Sequence, residues 1–245
     1  ITGSPNKNTS VLKRFLKENP RIAIDHFVRI NGARFKPEIK SFWSSPYELI
    51  VLDNYPVEPL STNFVRILGK KILTHQSAIM LISGPNQSNK SLNGITSILG
   101  VSTQDSSIET GPLFWDFVYL KDFIESDIPP LTQKLAVLGR GQFSDSLAIF
   151  ESGWPMWLQN QIGNIRTTVI TAADIHLLYY QKRDGSNGNL FSNIINKATG
   201  WLLKSGNSNE NYFRLNKNQY QQGEMVRITG SQPFENNQTK QSINI

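Results

Sequence analysis

Apolar positions along the first hundred residues switch between two spacings, and each switch marks an element. Val11, Leu12, Phe15 and Leu16 recur at helical intervals behind the cap candidates Thr9 and Ser10. Pro20 ends that pattern, so a first helix is predicted before it. RIAIDHFVRI at 21–30 is β-branched and aromatic with partial alternation, and Asn31-Gly32 closes it as a strand. ELIVL at 48–52 is a continuous apolar run followed by Asp53-Asn54 and the breaker Pro56, the profile of a strand buried on both faces. Phe64, Val65, Leu68 and Ile72 return to helical spacing. AIMLI at 78–82 then predicts a second buried strand, and residues 92–99 a short helix closed by Gly100. Strand, helix, strand and helix in this order predict a parallel sheet wrapped by helices.

The middle third reads differently. Short strand candidates, FVYL at 117–120, LAVLG at 135–139 and LAIFE at 147–151, are separated by Gly and Pro with Trp115, Trp154 and Trp157 nearby. Residues 101–164 are therefore expected to be an inserted or edge region. Regular patterning resumes with RTTVIT at 166–171, a strand leading into Ala172-Ala173-Asp174. Phe191, Ile194, Ile195, Ala198, Trp201 and Leu202 then fall on one face of an amphipathic helix. A Ser, Asn and Gly linker follows at 205–211. Beyond it, NYFRL and EMVRITG predict two strands joined by residues 216–223. Two strands alone are marginal in water, so they are expected to pack on a larger body.

Composition changes this picture little. A chain of 245 residues is long enough for one large domain with a sizeable core. Charged residues make up only 18%, so the polar surface rests on Asn, Gln, Ser and Thr. The net charge of +6 permits acidic partners. However, Lys and Arg nowhere cluster with interleaved aromatics, and the pairs Lys70-Lys71 and Lys182-Arg183 read as solvated faces; no nucleic-acid partner is expected. Cysteine is absent, which excludes disulfides, thiolate metal sites and a Cys nucleophile. No run reaches the ~18 apolar residues of a membrane span. ITGS at 1–4 reads as a strand end entering a loop and SINI at 242–245 as a strand beginning, so the chain is expected to be a piece of something longer, with any anchor outside it.

Candidate chemistry concentrates behind the predicted strands. SGPNQSNKS at 83–91 approximates the phosphate-binding pattern G-x-x-x-x-G-K-[ST], but Asn89 stands where the second glycine lets the backbone curl around phosphate. The strand ending in Asp that should follow such a loop, LIVLD at 49–53, precedes it. GSPNKNT at 3–9 also imitates a phosphate loop, placed where flavodoxin-like proteins hold FMN phosphate, and it equally suits a strand-to-helix turn with an N-cap. His26, His75 and His176 sit on separate predicted elements and make no metal cluster, and no cofactor is called for. Only Asp174 and His176 lie just past a strand's carboxyl end, where α/β sites form. Ser83 with that histidine would be a hydrolase pair, yet G-x-S-x-G is missing. Asn-x-Ser/Thr triplets, as at Asn86 and Asn237, are expected by chance in so Asn-rich a chain.

YELIVLDNYP, AIMLISGPN, RTTVITAADIHLLYY, LFSNIINKATGWLLK and the tail YQQGEMVRITG together resemble bacterial glutamine amidotransferase-like domains of class I fold, found in membrane-anchored proteins beside von Willebrand type A-like segments. The resemblance covers residues 1–205, with the tail matching a following β-sandwich. It implies a three-layer, flavodoxin-like, mostly parallel α/β domain over 1–205, and over 206–245 a linker with the first strands of a truncated β-sandwich. An amidotransferase of that fold needs a Cys at the turn after a central strand, activated by His and Glu further along. Here Ser83-Gly84-Pro85 fills that turn, and no His-x-Glu follows His176. The expectation is a non-catalytic binding or scaffolding module for a small polar ligand or an unknown protein, within a larger membrane-associated assembly. An FMN- or nucleotide-binding protein and a serine-dependent hydrolase remain alternatives. The binding edge is expected at Gly3, Ser4, Asn6, Asp53, Asn54, Ser83, Gly84, Asn86, Asp174 and His176.

Overall fold

The computed structural model describes residues 1–20, 22–32, 34–104, 110–111, 113–115, 128–180 and 189–203, and the backbone of 212–215 and 228–231. The FVYL segment, the Lys182-Arg183 pair, the linker at 205–211, the connection at 216–223, Asn237 and the final SINI lie outside the described residues. The chain divides into two compact units, Ile1–Gly206 and Asn207–Ile245.

Helix α1 (Lys7–Glu18) starts at Asn6 rather than at the expected Thr9 or Ser10. The Asn6 side chain accepts the Thr9 amide, and Thr9 Oγ1 accepts the Asn6 amide in return, both at 3.1 Å. Thr9 is thus the third residue of a capping box. The strand expected over 21–30 shrinks to β1 (Val28–Asn31), which forms an antiparallel hairpin with β2 (Arg34–Lys36). The start of β1 is tied to Thr2, whose N–H donates to the Phe27 carbonyl and whose carbonyl accepts the Arg29 amide, each at 2.8 Å. After α2 (Lys40–Ser44) come β3 (Leu49–Asp53), α3 (Thr62–His75) and β4 (Ala78–Ile82). The helix expected over 92–99 is two single turns, α4 (Asn89–Leu92) and α5 (Thr96–Leu99), the second ended by Gly100 at φ +69°.

Of the next segments, β5 (Val101–Thr103), β6 (Thr110–Gly111), β7 (Leu113–Trp115), β8 (Leu131–Thr132) and β9 (Val137–Gly139) are short. Long strands β10 (Phe143–Phe150) and β11 (Pro155–Ile162) follow, then β12 (Ile165–Ile170), the single turn α6 (Leu177–Tyr180) and α7 (Leu190–Leu203). The main sheet runs β3-β4-β12-β11-β10-β7. β4 pairs in parallel with β3 and β12, whereas the β12-β11, β11-β10 and β10-β7 pairings are antiparallel. The sheet is therefore mixed, parallel only in the half that the early strands build. Residues 101–164, expected as an insertion or edge, supply three of its six strands. β11 hides its burial behind polar residues: Asn160 is 1% exposed, and its amide nitrogen donates to the Leu99 and Gly100 carbonyls at 3.2 and 2.9 Å.

Helices cover both faces of the parallel half. Ala78, Met80 and Ile82 of β4 pack with Val11 and Leu12 of α1 and Phe191, Ile194 and Ala198 of α7, while Ile79 and Leu81 pack with Leu68 and Ile72 of α3 and with Leu92 and Leu99. Every residue of β4 is buried, as its unbroken apolar run requires, and each such aliphatic side chain stabilises by roughly 1.5–3 kcal/mol. Lys71, expected on a solvated face, is buried as well. Its Nζ donates to the Ser45 carbonyl and sits 5.0 Å from the Phe42 ring centroid, and burial lowers its pKa. A long aliphatic stem and a carbonyl partner make that burial tolerable. In the second unit, β13 (Tyr212–Leu215) and β14 (Ile228–Ser231) pair antiparallel, with Tyr212 opposite Ser231. No helix among the described residues is long and apolar enough to cross a membrane.

Candidate functional site

Because β3, β4 and β12 are parallel, Asp53, Ile82 and Ile170 end at one edge of the sheet, and the loops leaving them converge there. Ile1 and Thr2 run beside β3 in the same direction: the Asp53 amide donates to the Ile1 carbonyl at 2.9 Å, and the Gly3 amide to the Asp53 carbonyl at 3.1 Å. All four expected loops therefore reach this edge, but they form two environments.

The first is a buried knot around Asn54. Its φ is +48°, it is 0% exposed, and its side chain donates to the Ser4 carbonyl at 2.7 Å while accepting the Asn86 amide at 3.2 Å. Glycine is required on both sides of it. A Cβ on Gly3 would lie 2.0 Å from the Asn54 carbonyl oxygen, and one on Gly84 2.4 Å from the Asn54 Cβ. Asp53 is equally hidden, with Oδ2 accepting Thr9 Oγ1–H at 2.5 Å and Thr2 Oγ1–H at 3.4 Å. Burial raises its pKa, against the pull of the Thr9 hydroxyl. Thr2 Oγ1 also lies 2.9 Å from His26 Nε2.

Ser83 belongs to this interior. Its amide donates to the Ile170 carbonyl at 2.8 Å and its carbonyl accepts Asn8 Nδ2–H at 3.2 Å. Its hydroxyl is fully buried and has no hydrogen-bond partner among the described residues. In the phosphate-loop imitation that follows, five amides already have partners within the protein. Gly84 N–H donates to Gln87 Oε1, Asn86 N–H to Asn54 Oδ1, Gln87 N–H to the Gly84 carbonyl, and Ser88 N–H and Ser91 N–H to each other's hydroxyls. Asn89, where the pattern asks for glycine, is a clamp: its side chain donates to the Gln104 carbonyl and accepts the Ala136 amide.

The second environment is a cleft of about 420 Å³. Asn6, Asp174 and His176 of the expected edge line it, joined by Lys7, Pro85 and Ala173. Gly3, Ser4, Asp53, Asn54, Ser83, Gly84 and Asn86 are not among its walls. The remaining wall, Thr132 and Lys134, carries no motif, and it is brought in by backbone pairing. Lys134 N–H donates to the Thr171 carbonyl at 3.0 Å, Ala173 N–H to the Thr132 carbonyl at 2.9 Å, and Thr132 N–H to Asp174 Oδ1 at 2.9 Å.

His176 is held in one protonation pattern by Asn8. Asn8 Nδ2 faces two carbonyls, of Ser83 at 3.2 Å and Ala173 at 2.7 Å, so Oδ1 must face the other way. There it accepts the His176 amide at 3.0 Å and meets His176 Nδ1 at 2.7 Å. An oxygen that cannot donate places the ring proton on Nδ1. Burial lowers the His176 pKa, only partly opposed by Asp174, so the neutral ring keeps a lone pair on Nε2. Lys7 and Lys134 form no ion pair among the described residues; the ion pair there is Arg29 with Glu58 at 2.8 Å. No group of three His, Asp or Glu among the described residues is placed to hold a metal.

No family model matches the chain, and no curated protein matches it. Among solved structures it is similar to an exo-β-1,4-mannosidase from Opitutaceae bacterium strain TAV5, at 13% identity and a TM-score of 0.34 over 53% of this chain and 21% of that one. The chain thus spans about a fifth of the mannosidase. It is also similar to a GMP synthase subunit from Thermoplasma acidophilum, at 11% identity and a TM-score of 0.43 over 82% of this chain and 92% of that one. Neither likeness speaks to activity. What is established is a mixed α/β fold with a parallel half-sheet.

Proposed function

We propose that this chain is a non-catalytic, glutamine amidotransferase-like binding module of flavodoxin-like build, which takes a small polar ligand in the cleft beside His176. The observation that carries the reading is the state of Ser83. A nucleophile must be exposed and hydrogen-bonded to a base, whereas Ser83 is 0% exposed and no hydrogen bond joins its hydroxyl to His176 or to any other described residue. The sequence likeness of the strand ends and tail supports placing the module, an α/β domain to about residue 205 followed by the start of a β-sandwich, in a larger membrane-associated bacterial protein. The amides of Gly84, Asn86, Gln87, Ser88 and Ser91, each already donating within the protein, speak against a nucleotide phosphate there. The test joins a glutaminase assay to amide-shift mapping with small polar compounds. No turnover, with shifts confined to the cleft walls, is expected. Glutamine turnover abolished by Ser83→Ala would overturn the non-catalytic reading, and silence of the cleft walls towards every compound would overturn the binding reading.

A further inference from the structure

Three features of the cleft constrain its ligand more narrowly than polarity alone. Charge comes first: Lys7 and Lys134 line the cleft without ion-pair partners among the described residues, and the opposing carboxylate, Asp174, already has one oxygen on the Thr132 amide. With the ring of His176 neutral, the walls carry one excess positive charge among the described residues. The positive end of the 12-residue helix α1 adds to it, since Lys7 is that helix's first residue. A monoanion is neutralised there. A phosphate dianion would be under-compensated and would face Asp174.

The second feature is the direction of the hydrogen bonds. Asn8 is 1% exposed and has all its side-chain valences used, so His176 Nδ1–H cannot turn away to a ligand. Nε2 is left as the ring's open position, and a neutral imidazole offers an acceptor there. The ligand must therefore bring a donor. The third feature is size: about 420 Å³ lies at the small end of ligand cavities, which run from roughly 300 to 1,000 Å³.

Resting on the binding reading above, we propose that the cleft takes a small hydroxy-carboxylate, its carboxylate between Lys7 and Lys134 and its hydroxyl donating to His176 Nε2. Lys134 and His176 then divide the work. The lysine sets affinity for the anion, and the histidine sets preference for a hydroxyl beside it.

The probes are glycolate, acetate, glycine and inorganic phosphate, titrated into the full chain and followed by amide and imidazole shifts. Glycolate is expected to bind about fivefold tighter than acetate, the worth of one hydrogen bond. Phosphate and glycine should bind more weakly than glycolate. His176→Phe should bring glycolate and acetate to parity, whereas Lys134→Gln should weaken both by about threefold and preserve their ratio. Because His176→Phe also empties a position beside Asn8, the Lys134→Gln arm carries the test if that variant fails to fold. Equal binding of glycolate and acetate by the native chain, or tighter binding of phosphate or glycine, would overturn the inference while leaving a ligand-binding cleft. If none of the four moves a cleft resonance, this inference falls, and the broader compound set then decides the binding reading separately.

Discussion

Asn8→Ala should be the most informative single substitution in this protein, because one buried amide joins three segments of the edge. Asn8 donates to the Ser83 and Ala173 carbonyls and accepts from the His176 amide and ring, so it ties α1 to the ends of β4 and β12. The four bonds are not equal. The one to Ser83 is buried, and losing it costs the desolvation of an orphaned carbonyl, about 1–3 kcal/mol. The other three are part-buried beside the cleft, where water can replace the amide at a net loss of about 0.5–1 kcal/mol each. The expected total is roughly 2.5–6 kcal/mol, a large part of the ~5–15 kcal/mol that holds a domain together. Urea melts followed by circular dichroism measure the loss, and long-range ¹⁵N correlation spectra report the ring proton of His176. The native ring should show a single Nδ1–H form; the variant should show a mixture. Asn8→Asp separates shape from hydrogen bonding. It is isosteric, but it turns a second oxygen towards two carbonyls, and it should be at least as destabilising near neutral pH. A loss under about 1 kcal/mol for Asn8→Ala, with the ring form unchanged, would refute the idea that this amide organises the edge.

Gly3→Ala should destabilise by roughly 3 kcal/mol or more, since its Cβ would meet a backbone oxygen at 2.0 Å that cannot step aside. Gly200→Ala, in the body of α7 with no atom within 4 Å of the new methyl, should instead stabilise by about 0.5–1 kcal/mol; melts of the two variants in parallel check both signs. Asp53 has a raised pKa, so its stabilising contribution is complete below the unfolded carboxylate value of 3.8 and is lost as pH rises through the higher folded value. Asp53→Asn keeps an acceptor for Thr9 and should lose that slope, gaining on the native protein at pH 7 but not at pH 3 in paired denaturation curves. His176 has the opposite sign: its folded pKa is lowered, so protonation of the unfolded chain should cost stability as pH falls below 6.5, and His176→Gln should flatten that part of the profile. Ending the chain after Gly206 should leave the first unit folded, with near-native far-ultraviolet dichroism; a fully unfolded product would show the boundary to be misplaced.

What could be read from the sequence alone was whatever a single face of a single element expresses. AIMLI is buried on both sides, and so every one of its residues had to be apolar. The helices α1, α3 and α7 each bury one stripe, and the 3.6-residue period shows it. Gly3 and Gly84 were conspicuous as loop glycines, and their contact with Asn54 supplies the reason, but it requires two loops fifty and thirty residues from it to be seen together. The antiparallel half of the sheet stayed hidden because β11 fills buried positions with Gln159 and Asn160, and the Asn160 amide is satisfied by partners far away in the chain. Hydropathy registers the polar atoms and cannot register the bonds that cancel them. The same limit applies to the cleft. Asp174 and His176 stood out by their place after a strand, whereas Lys134 and Thr132 reach it only through pairing with residues 171–174, and nothing local distinguishes them. The protonation pattern of His176 is further still from the sequence. It follows from two carbonyls that orient one amide, and that arrangement exists only once α1, β4 and β12 have met.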